Sequence, residues 1–518
     1  MIEYLDAIGD QAELETDVCI VGAGPAGIAL ANEFRDSGTR VLLLESGDLN
    51  FEPDTQDLYR GQINNLIPAN RLDVSRLRFF GGTSNHWEGS CGPLDAIDFK
   101  ERDGMPLSGW PIEKQDLHAY YQRSSDFIGL KDEKFEPAQW ADATRPLIEF
   151  ADDRFTTSMR CRKPIFFGPA YEETLTNSAN IKLVLHANLT EIQRSGDGRR
   201  VESVTIRSLQ GKSASVKASQ YILACGGVEN ARILLANDFD QELDFVGRCF
   251  FFHARPTTAM FLLSDQARLE QFDLYSDWQI VNDQKLRFAI RLNEKEQARL
   301  GIGNHAIMLR PTPAPPYPME LKRIVDRLRG EISLDGFMDD LYGTIQQMDA
   351  IADRVEHELF PDEEPLPVLA TRISMDQTPN RNSRVTLNDE TDALDMRRVT
   401  LNWAHTDEEI SALKKMHELL GQSLGASGLG RLQLLDTLDN SDALHREIQM
   451  GGGGGHQMGT TRMSTTPATG VVDRNCQVHG VDNFYCAGSS VFPTGGWMNP
   501  TMTIIALAIR LADHLKTA

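Results

Sequence analysis

Two short, continuous apolar runs near the start of the chain predict a pair of buried strands. The runs Val18–Val21 and Val41–Leu44 flank a helical segment of about 11 residues, and apolar runs of this length bounded by turn residues are typical of strands. The order of strand, tight turn, helix and strand predicts a βαβ unit.

Similar strand-then-helix patterns recur later in the chain, at 217–237 and 482–496. The closing segment 500–515 has apolar residues at positions 504, 507, 508, 511 and 515, a spacing that predicts an amphipathic helix. We therefore expect an α/β fold with a Rossmann-like domain assembled from both ends of the chain.

The middle of the chain has a different pattern. Alternating, strand-like pieces occur at 255–263, 286–292 and 383–388. We predict a substrate-binding domain built on an antiparallel β-sheet, at 116–179 and 263–449, inserted into a discontinuous cofactor-binding domain at 14–115, 180–262 and 450–518. A proline-rich connector and an acidic stretch predict an excursion at 311–366, which acts as a lid, an oligomer contact or an ordinary surface insertion.

Composition narrows the range of functions. The 518 residues are too many for one simple core, and the content of 41% hydrophobic and 25% charged residues is that of an ordinary soluble protein. The formal net charge of −23 argues against nucleic acid and against an anionic membrane surface. It suggests a neutral or cationic substrate, unless the acidity serves only solubility.

Targeting signals and cysteine chemistry predict a cytoplasmic protein. The first residues are acidic where a secretion signal needs basic ones, and no apolar stretch is long enough for a membrane span. The seven cysteines contain no CxxC pair, so free buried thiols are favoured over disulfides, and we expect no metal site.

The first chemical motif follows the first predicted strand. Gly22, Gly24 and Gly27 form a GxGxxG turn, and Glu45 stands 23 residues after Gly22 at the end of the next strand. Such glycines let the backbone approach a pyrophosphate at a helix N-terminus, while the acid accepts hydrogen bonds from ribose hydroxyls. The motif predicts dinucleotide binding but does not separate FAD from NAD.

The segment RLRFFGGTSNHWEGSCGPLDAIDF, residues 76–99, resembles the second signature of the glucose–methanol–choline (GMC) family of flavoenzymes. The resemblance implies FAD, held by a loop whose matching residues are Gly81, Gly82 and Ser84. The SNHW piece is most similar to the pyranose-oxidase branch, which implies a covalent bond between His86 and the flavin. Because Asn85 stands where that branch often has threonine, a non-covalent histidine at the flavin rim is the alternative.

Two further segments near the C-terminus resemble the same family. HQMGTTRM begins with His456, and GWMNPTMTIIALAIRLADHL contains Asn499, 43 residues later, which is in keeping with the spacing of the family's catalytic pair. The resemblance also implies a GMC fold and further cofactor contacts, which we assign to Gly488, Ser489, Leu189, Ala224 and Thr501.

These matches imply FAD-dependent oxidation of a sugar or glycoside hydroxyl to a carbonyl, with hydride transfer to flavin N5. A histidine suits the general base, because its unperturbed pKa is near 6.5. We assign this role to His456 and the positioning of the hydroxyl to Asn499. The helix from Pro500 would direct its dipole at the flavin's N1–C2=O edge.

Several alternatives stay open from the sequence. The substrate is a non-sugar alcohol, or the fold supports a lyase or decarboxylase; the electron acceptor is oxygen, a quinone or another carrier. Trp497 either walls the substrate pocket or packs in the core, and His253 and His305 are expected to be structural or surface residues. The pentaglycine run Gly451–Gly455 is predicted to be backbone that enters the active site and delivers His456.

Overall fold

A computed structural model gives the fold of this chain. It describes residues 1–65, 71–130, 135–143, 145–264, 269, 271–311, 368–435, 446–448 and 456–517, with positions 321, 324, 325, 327, 338 and 341. The predicted excursion at 311–366 therefore lies almost entirely outside the described residues. The pentaglycine run Gly451–Gly455 lies wholly outside them.

The described residues contain nineteen strands. In chain order they are β1 Ile2–Tyr4, β2 Ala12–Val21, β3 Val41–Leu44, β4 Gln62–Asn64, β5 Ser90–Cys91, β6 Phe155–Arg162, β7 Ile181–Leu185, β8 Asn188–Arg194, β9 Val201–Arg207, β10 Ser213–Leu223, β11 Thr257–Leu263, β12 Gln279–Val281, β13 Gln284–Leu292, β14 Ala306–Pro311, β15 Val368–Ser374, β16 Arg384–Thr391, β17 Arg397–Asn402, β18 Gly430–Leu434 and β19 Phe484–Cys486.

The helices of the described residues are fewer and mostly short. They are α1 Pro25–Glu33, α2 Pro53–Asp57, α3 His118–Ile128, α4 Phe167–Thr176, α5 Gly226–Ala236, α6 Asp273–Ser276, α7 Glu294–Leu300, α8 Asp407–Ala426 and α9 Thr501–Leu515. In the part of the chain that the structure describes, no helix combines the length and apolar character needed to cross a membrane.

The first sheet contains the nucleotide-binding strands, in the order β1-β7-β3-β2-β10-β9-β8, with β19 on β10. Pairing is parallel from β1 to β10 and on to β19, and antiparallel at β9 and β8. The run Val41–Leu44 is fully buried, as is typical of a parallel strand covered on both faces. The ends of β2, β10 and β19 therefore meet beside the N-terminus of α1, where open α/β sheets bind ligands.

The second sheet is antiparallel, in the order β18-β11-β15-β14-β13-β6-β5, with β12 on β13. Its strands come from both before and after residues 312–367, and their antiparallel pairing agrees with the predicted sheet of the substrate-binding domain. The strand β11, Thr257–Leu263, belongs to this sheet, although the predicted boundary assigned residues up to 262 to the cofactor-binding domain. The other predicted domain limits stay predictions.

A third sheet corrects one expectation. The piece 383–388 was expected to belong to the antiparallel sheet of the substrate-binding domain. It lies instead in β16, in a separate three-stranded sheet with β17 and β4. Asp392, just beyond it, pairs with Arg232 of α5, so this hairpin packs against the nucleotide-binding side of the molecule.

One continuous hydrophobic core joins the first two sheets and their helices. The predicted helix at 500–515 is α9, which begins at Thr501 with Pro500 as its N-cap residue. The segment 482–496 differs from the prediction, because β19 is followed by a short 3₁₀ turn, Ser489–Val491, and no α-helix. All seven cysteines are free thiols, and six of them are buried.

Candidate active site

The GxGxxG turn packs α1 directly on the end of β2. Gly22 has φ +100°, and a Cβ there would lie 2.8 Å from the carbonyl oxygen of Ala224. A Cβ on Gly27 would lie 1.9 Å from the carbonyl oxygen of Gly22. Both glycines are therefore required by close backbone approach. The N-terminus of α1 has Pro25 at its start and no side-chain cap, which leaves its amides free for an anion.

Glu45 is held rigidly at the end of β3. Its Oε2 accepts the N–H of Ala23 and its Oε1 accepts the N–H of Gly47, each at 3.0 Å. The side chain is buried and lines the cleft described below. Oε1 also accepts the Ser46 hydroxyl at 3.2 Å, so the lone pair that remains for a ribose hydroxyl is on Oε2.

A buried charged group borders the same part of the cleft. Glu229 of α5 lies 3.0 Å from Arg78, 3.1 Å from Arg232 and 3.5 Å from Arg76. Burial by itself would raise the pKa of Glu229, but the three guanidinium groups outweigh it and lower the pKa to about 2. We call these four residues the Glu229 cluster. Its carboxylate is ionised at neutral pH, which balances part of the arginine charge.

A single cleft connects these features. Its empty volume is about 1670 Å³, open solvent at its mouth included. Three glycines from separate segments, Gly24, Gly226 and Gly488, border open space: a Cβ at the first two would meet nothing within 4 Å, and at Gly488 only the Ala26 Cβ at 4.0 Å. Bare backbone from three segments around one long cleft fits a dinucleotide whose diphosphate lies against main-chain atoms.

The SNHW loop forms part of the cleft wall. His86 is exposed and Trp87 half-buried, and both line the cleft. The Trp87 indole N–H donates to the carbonyl oxygen of Ile165 at 2.5 Å. Asn85 donates its amide N–H to the carbonyl oxygen of Phe80 at 2.8 Å, so the residue that replaces threonine stabilises the loop itself. Partial burial lowers the pKa of His86, which keeps its imidazole neutral.

Where His456 lines the cleft, it contacts a second histidine. The Nδ1 atoms of His456 and His253 are 3.0 Å apart, with the rings nearly perpendicular at 84°. Burial is the largest cause that lowers the pKa of His456 well below its usual value, followed by the charge of Arg255. Burial likewise lowers the pKa of His253 to about 4. Both imidazoles are therefore neutral at pH 7.

Asn499 lines the same cleft and is oriented by an arginine. An Nη of Arg255 donates to Asn499 Oδ1 at 3.0 Å. Because a guanidinium only donates, this contact fixes the amide oxygen towards Arg255 and leaves the amide N–H₂ for another partner.

The loop that leads to Asn499 is anchored by buried polar groups. Asp376 accepts the N–H of Gly496 at 3.0 Å, and the Trp497 indole donates to Asp95 at 3.1 Å. The Ser374 hydroxyl donates to the carbonyl oxygen of Trp497 at 2.9 Å. Trp497 is 1% exposed and is not among the residues that line the cleft, so it packs in the core.

The structure brings most of the predicted site residues to this one cleft. Those that line it are Gly22, Gly24, Glu45, Gly82, Ser84, His86, Leu189, Ala224, His456, Gly488, Ser489, Asn499 and Thr501. Gly27 and Gly81 do not line it. Gly81 packs instead against α4, since a Cβ there would lie 2.7 Å from the amide nitrogen of Gly168.

Several residues at the site escaped the sequence interpretation. His253 was expected to be structural or on the surface; it is fully buried and does not line the cleft, but it contacts His456. Arg255 carries no motif, and only the fold places it beside Asn499. Arg76 and Arg78 precede the Gly-Gly loop directly, so two charges in an otherwise apolar stretch were an available signal. His305 is structural, as expected: its Nδ1 accepts the N–H of Asp376.

Among the described residues, one group has ligand atoms close enough for a metal ion. Asp48, Glu52 and His186 place such atoms within 4.8 Å of one another. These residues do not line the cleft, and the His186 ring already contacts Glu52 at 3.2 Å and Asp6 at 3.3 Å. The three side chains have the geometry of surface ion pairs.

Comparison with known families agrees with the two ends of the chain. A family model described as GMC oxidoreductase matches residues 379–508, which include the His456 and Asn499 segments. A second model, described as an FAD binding domain, matches residues 15–65, which include the GxGxxG turn and Glu45.

The chain is similar to proteins named as oxidases and dehydrogenases. The 6'''-hydroxyparomomycin C oxidase of Streptomyces lividus is 31% identical over 26% of this chain and 24% of its own length. The 2-methyl-1,2-propanediol dehydrogenase of Mycolicibacterium austroafricanum is 20% identical over 97% of this chain and 95% of its own. The structure of pyridoxine 4-oxidase from Mesorbium loti superposes with a TM-score of 0.58, at 16% identity, over 97% of this chain and 99% of its own.

Proposed function

We propose that this chain oxidises a hydroxyl of a sugar or glycoside to a carbonyl. The chain belongs to the GMC oxidoreductase family and is an FAD-dependent oxidoreductase acting on CH–OH groups. The main support is one observation: His456 and Asn499 line the same cleft as the dinucleotide cradle, and Arg255 links them, since it donates to Asn499 and its charge helps to lower the pKa of His456. The oxidase of 6'''-hydroxyparomomycin C favours a sugar-like substrate. The propanediol dehydrogenase keeps a non-sugar alcohol as the alternative.

His456 is the proposed general base. Its neutral imidazole can accept the hydroxyl proton, and such help is typically worth about 10²–10⁴-fold in rate. Because the pKa of His456 is lowered well below its usual value, the neutral form persists into mildly acidic solution. The positive charge of the protonated base would be disfavoured by Arg255 nearby, so the proton must leave readily.

The second histidine selects the tautomer of the first. A 3.0 Å contact between two neutral nitrogens needs one donor and one acceptor. If His456 Nδ1–H donates to His253 Nδ1, then His456 Nε2 carries the lone pair that takes the substrate proton. We assign His253 as a positioning residue on this basis.

Asn499 positions the substrate oxygen. Its Oδ1 is engaged by Arg255, so its N–H₂ group can donate to the carbinol oxygen while His456 removes the proton. When bound, FAD accepts the hydride from the carbon. The N-terminal amides of α9, of which Thr501 lines the cleft, lack a side-chain cap and would stabilise negative charge at this end.

The same mechanism needs an electron acceptor, and it works with either of two flavin linkages. Oxygen, a quinone or another carrier would re-oxidise the flavin. The exposed His86 would either bond covalently to the flavin or lie against its rim. Acid denaturation distinguishes these: yellow colour that stays with the precipitated chain supports the covalent link, and colour in the supernatant supports the rim position.

An anaerobic screen of sugars, glycosides and simple alcohols tests the function. The expected result is bleaching of the bound flavin by a sugar or glycoside, followed by recovery of its absorbance when an acceptor is added. Bleaching only by simple alcohols would move the assignment to a non-sugar substrate. A flavin that no alcohol bleaches, together with substrate cleavage that needs no acceptor, would support the lyase or decarboxylase alternative.

Variants of the pair test the residue roles. His456→Ala and Asn499→Ala should each retain FAD, measured by absorbance per chain, and lose flavin reduction by at least about 100-fold. The matched control is His514→Ala, a histidine near the end of α9 that does not line the cleft. Full reduction rates in either pair variant would overturn the mechanism.

A further inference from the structure

Five arginines lie on or beside neighbouring strands of the antiparallel sheet. Arg160 of β6 and Arg287 of β13 are cross-strand partners, Arg310 and Arg372 lie on the next two strands, β14 and β15, and Arg255 lies two residues before β11. Arg255 lines the cleft beside Asn499. We call these five residues the arginine cluster.

The central members of the cluster have no carboxylate partner. Among the described residues, no acidic oxygen lies within ion-pair distance of Arg160 or Arg255. Arg160 is 7% exposed, and the Nε atoms of Arg160 and Arg255 are buried without a hydrogen-bond partner. Arg160 lies over the indole ring of Trp278, 5.0 Å from its centroid, which supplies only a weak counterpart.

Arg287 is satisfied only by neutral groups. It donates to the carbonyl oxygens of Tyr275 at 3.3 Å and of Ser276 at 2.8 Å, and also to that of Leu309. These contacts hold the side chain in place but do not neutralise it. A buried cation without an anion is unfavourable, so several such cations beside one cleft need a reason.

The pKa values agree with mutual repulsion. Burial is the largest cause for each of three members, and neighbouring arginines add to it. The pKa of Arg255 is lowered to about 10, that of Arg287 to about 10, and that of Arg160 well below its usual value. The charge of Arg160 also reaches His456 and helps to lower its pKa. The cluster and the proposed catalytic pair therefore share one electrostatic environment.

We propose that the substrate is an anionic alcohol, a sugar or related molecule with a carboxylate or phosphate group that Arg255 binds in the cleft, while the neighbouring charge of Arg160 adds to the attraction and the hydroxyl lies at His456 and Asn499. The inference rests on the proposed function and names its substrate class. Guanidinium groups are the preferred partners of both anions. The net charge of −23 suggested a neutral or cationic substrate. The arginine cluster favours an anion instead, although acids also line the cleft, among them Glu88, whose charge reaches both Arg160 and Arg255.

Three pyranoses that differ in charge test the substrate class. Flavin reduction by glucose, glucuronate and glucose 6-phosphate is followed anaerobically, with sodium sulfate as a non-oxidisable probe. We expect kcat/KM at least about tenfold higher for one of the anions than for glucose, since a charge-assisted contact is worth about that factor. Sulfate should inhibit competitively and shift the flavin spectrum. The preferred anion distinguishes carboxylate from phosphate.

The outcomes separate this inference from the proposed function. Equal reduction by glucose and by both anions, with no effect of sulfate, overturns the inference and leaves the sugar oxidase intact. If sulfate binds but none of the three sugars bleaches the flavin, the anion site stands and sugar oxidation does not.

A stability measurement provides a second, independent readout. Arg160→Gln removes a buried cation that the neighbouring arginines repel. The substitution should therefore raise the melting temperature of the holoenzyme and weaken sulfate inhibition at least about tenfold. The control is Arg102→Gln, a buried arginine paired with Asp376 at 2.9 Å, which should lower the melting temperature and leave sulfate inhibition of the folded enzyme unchanged. A fall in melting temperature for Arg160→Gln would show a structural anion partner and overturn the inference.

Discussion

The Glu229 cluster allows a quantitative prediction about stability. Glu229 is 3% exposed and is the shared partner of Arg76, Arg78 and Arg232. Glu229→Gln keeps the size of the side chain, removes its charge and replaces one acceptor oxygen by a donating amide group. Three buried guanidinium groups would then face one another, with Asp392 as the remaining carboxylate contact, beside Arg232.

The magnitude follows from linkage between ionisation and folding. The pKa of Glu229 falls from 4.5 to about 2, and a shift of that size corresponds to about 3 kcal/mol of stability at neutral pH. Because the folded pKa is the lower one, this contribution is complete above pH 4.5 and disappears as the pH falls through 2. We therefore expect the free energy of unfolding to drop by about 3 kcal/mol at pH 7.

Urea unfolding followed by tryptophan fluorescence at pH 7, with FAD in fixed excess, measures the change. The difference between wild type and Glu229→Gln should shrink when the pH is lowered below 4.5. The matched control is Glu242→Gln, which breaks a surface pair with Arg194 in which Glu242 is 61% exposed and should cost less than about 0.5 kcal/mol. If Glu229→Gln changed stability as little as Glu242→Gln, the cluster would not have the electrostatic weight we assign to it.

Three further changes test other parts of the structure. Gly27→Ala should lower the free energy of unfolding by about 2–3 kcal/mol, because its Cβ would lie 1.9 Å from a carbonyl oxygen. Gly24→Ala, whose Cβ would meet nothing within 4 Å, should leave the unfolding of the apoprotein unchanged and weaken FAD binding, which a titration with FAD measures. His253→Ala should lower kcat by about 10–100-fold with little change in KM, and His253→Asn, whose amide oxygen can accept from His456, should recover part of the loss; equal losses in both would contradict the tautomer argument. Burial lowers the pKa values of His305 and His417 to about 4. The free energy of unfolding should therefore fall as the pH drops from 6.5 to 4, by up to about 3 kcal/mol for each histidine. A urea midpoint that stays constant across this pH range would show that the two histidines are not held buried in their neutral form.

The cofactor cradle was largely predictable from the sequence because its requirements are local. Gly22 and Gly27 are needed where two stretches of backbone are in contact. The two positions are only about one and a half helical turns apart, so this requirement appears in the sequence as a short pattern with fixed spacing. Glu45 is predictable for a related reason, since the strand that follows the helix must return beside the first one. The resemblance of the His456 and Asn499 segments to one family supplied the rest.

The tertiary structure alone decided what surrounds the proposed catalytic pair. His253 and Arg255 lie more than 200 residues before His456 and Asn499 in the chain, and no local pattern marks either of them. Their contacts arise because the chain enters the second sheet beside the C-terminal loop. The charge of the cleft has the same origin: Arg160 and Arg287 become neighbours through strand pairing.

The sequence by itself determined the α/β class and the dinucleotide turn, and it supplied the pair to which we assign catalysis. The charges around that pair were beyond its reach, because a total of −23 does not say where the charges lie. Electrostatic energy depends on distances between particular charges and on how well water screens them. Only the packed structure sets those distances: it places Arg160 and Arg255 with no acidic oxygen of the described residues at ion-pair distance, and it brings Glu88 near enough for its charge to reach both.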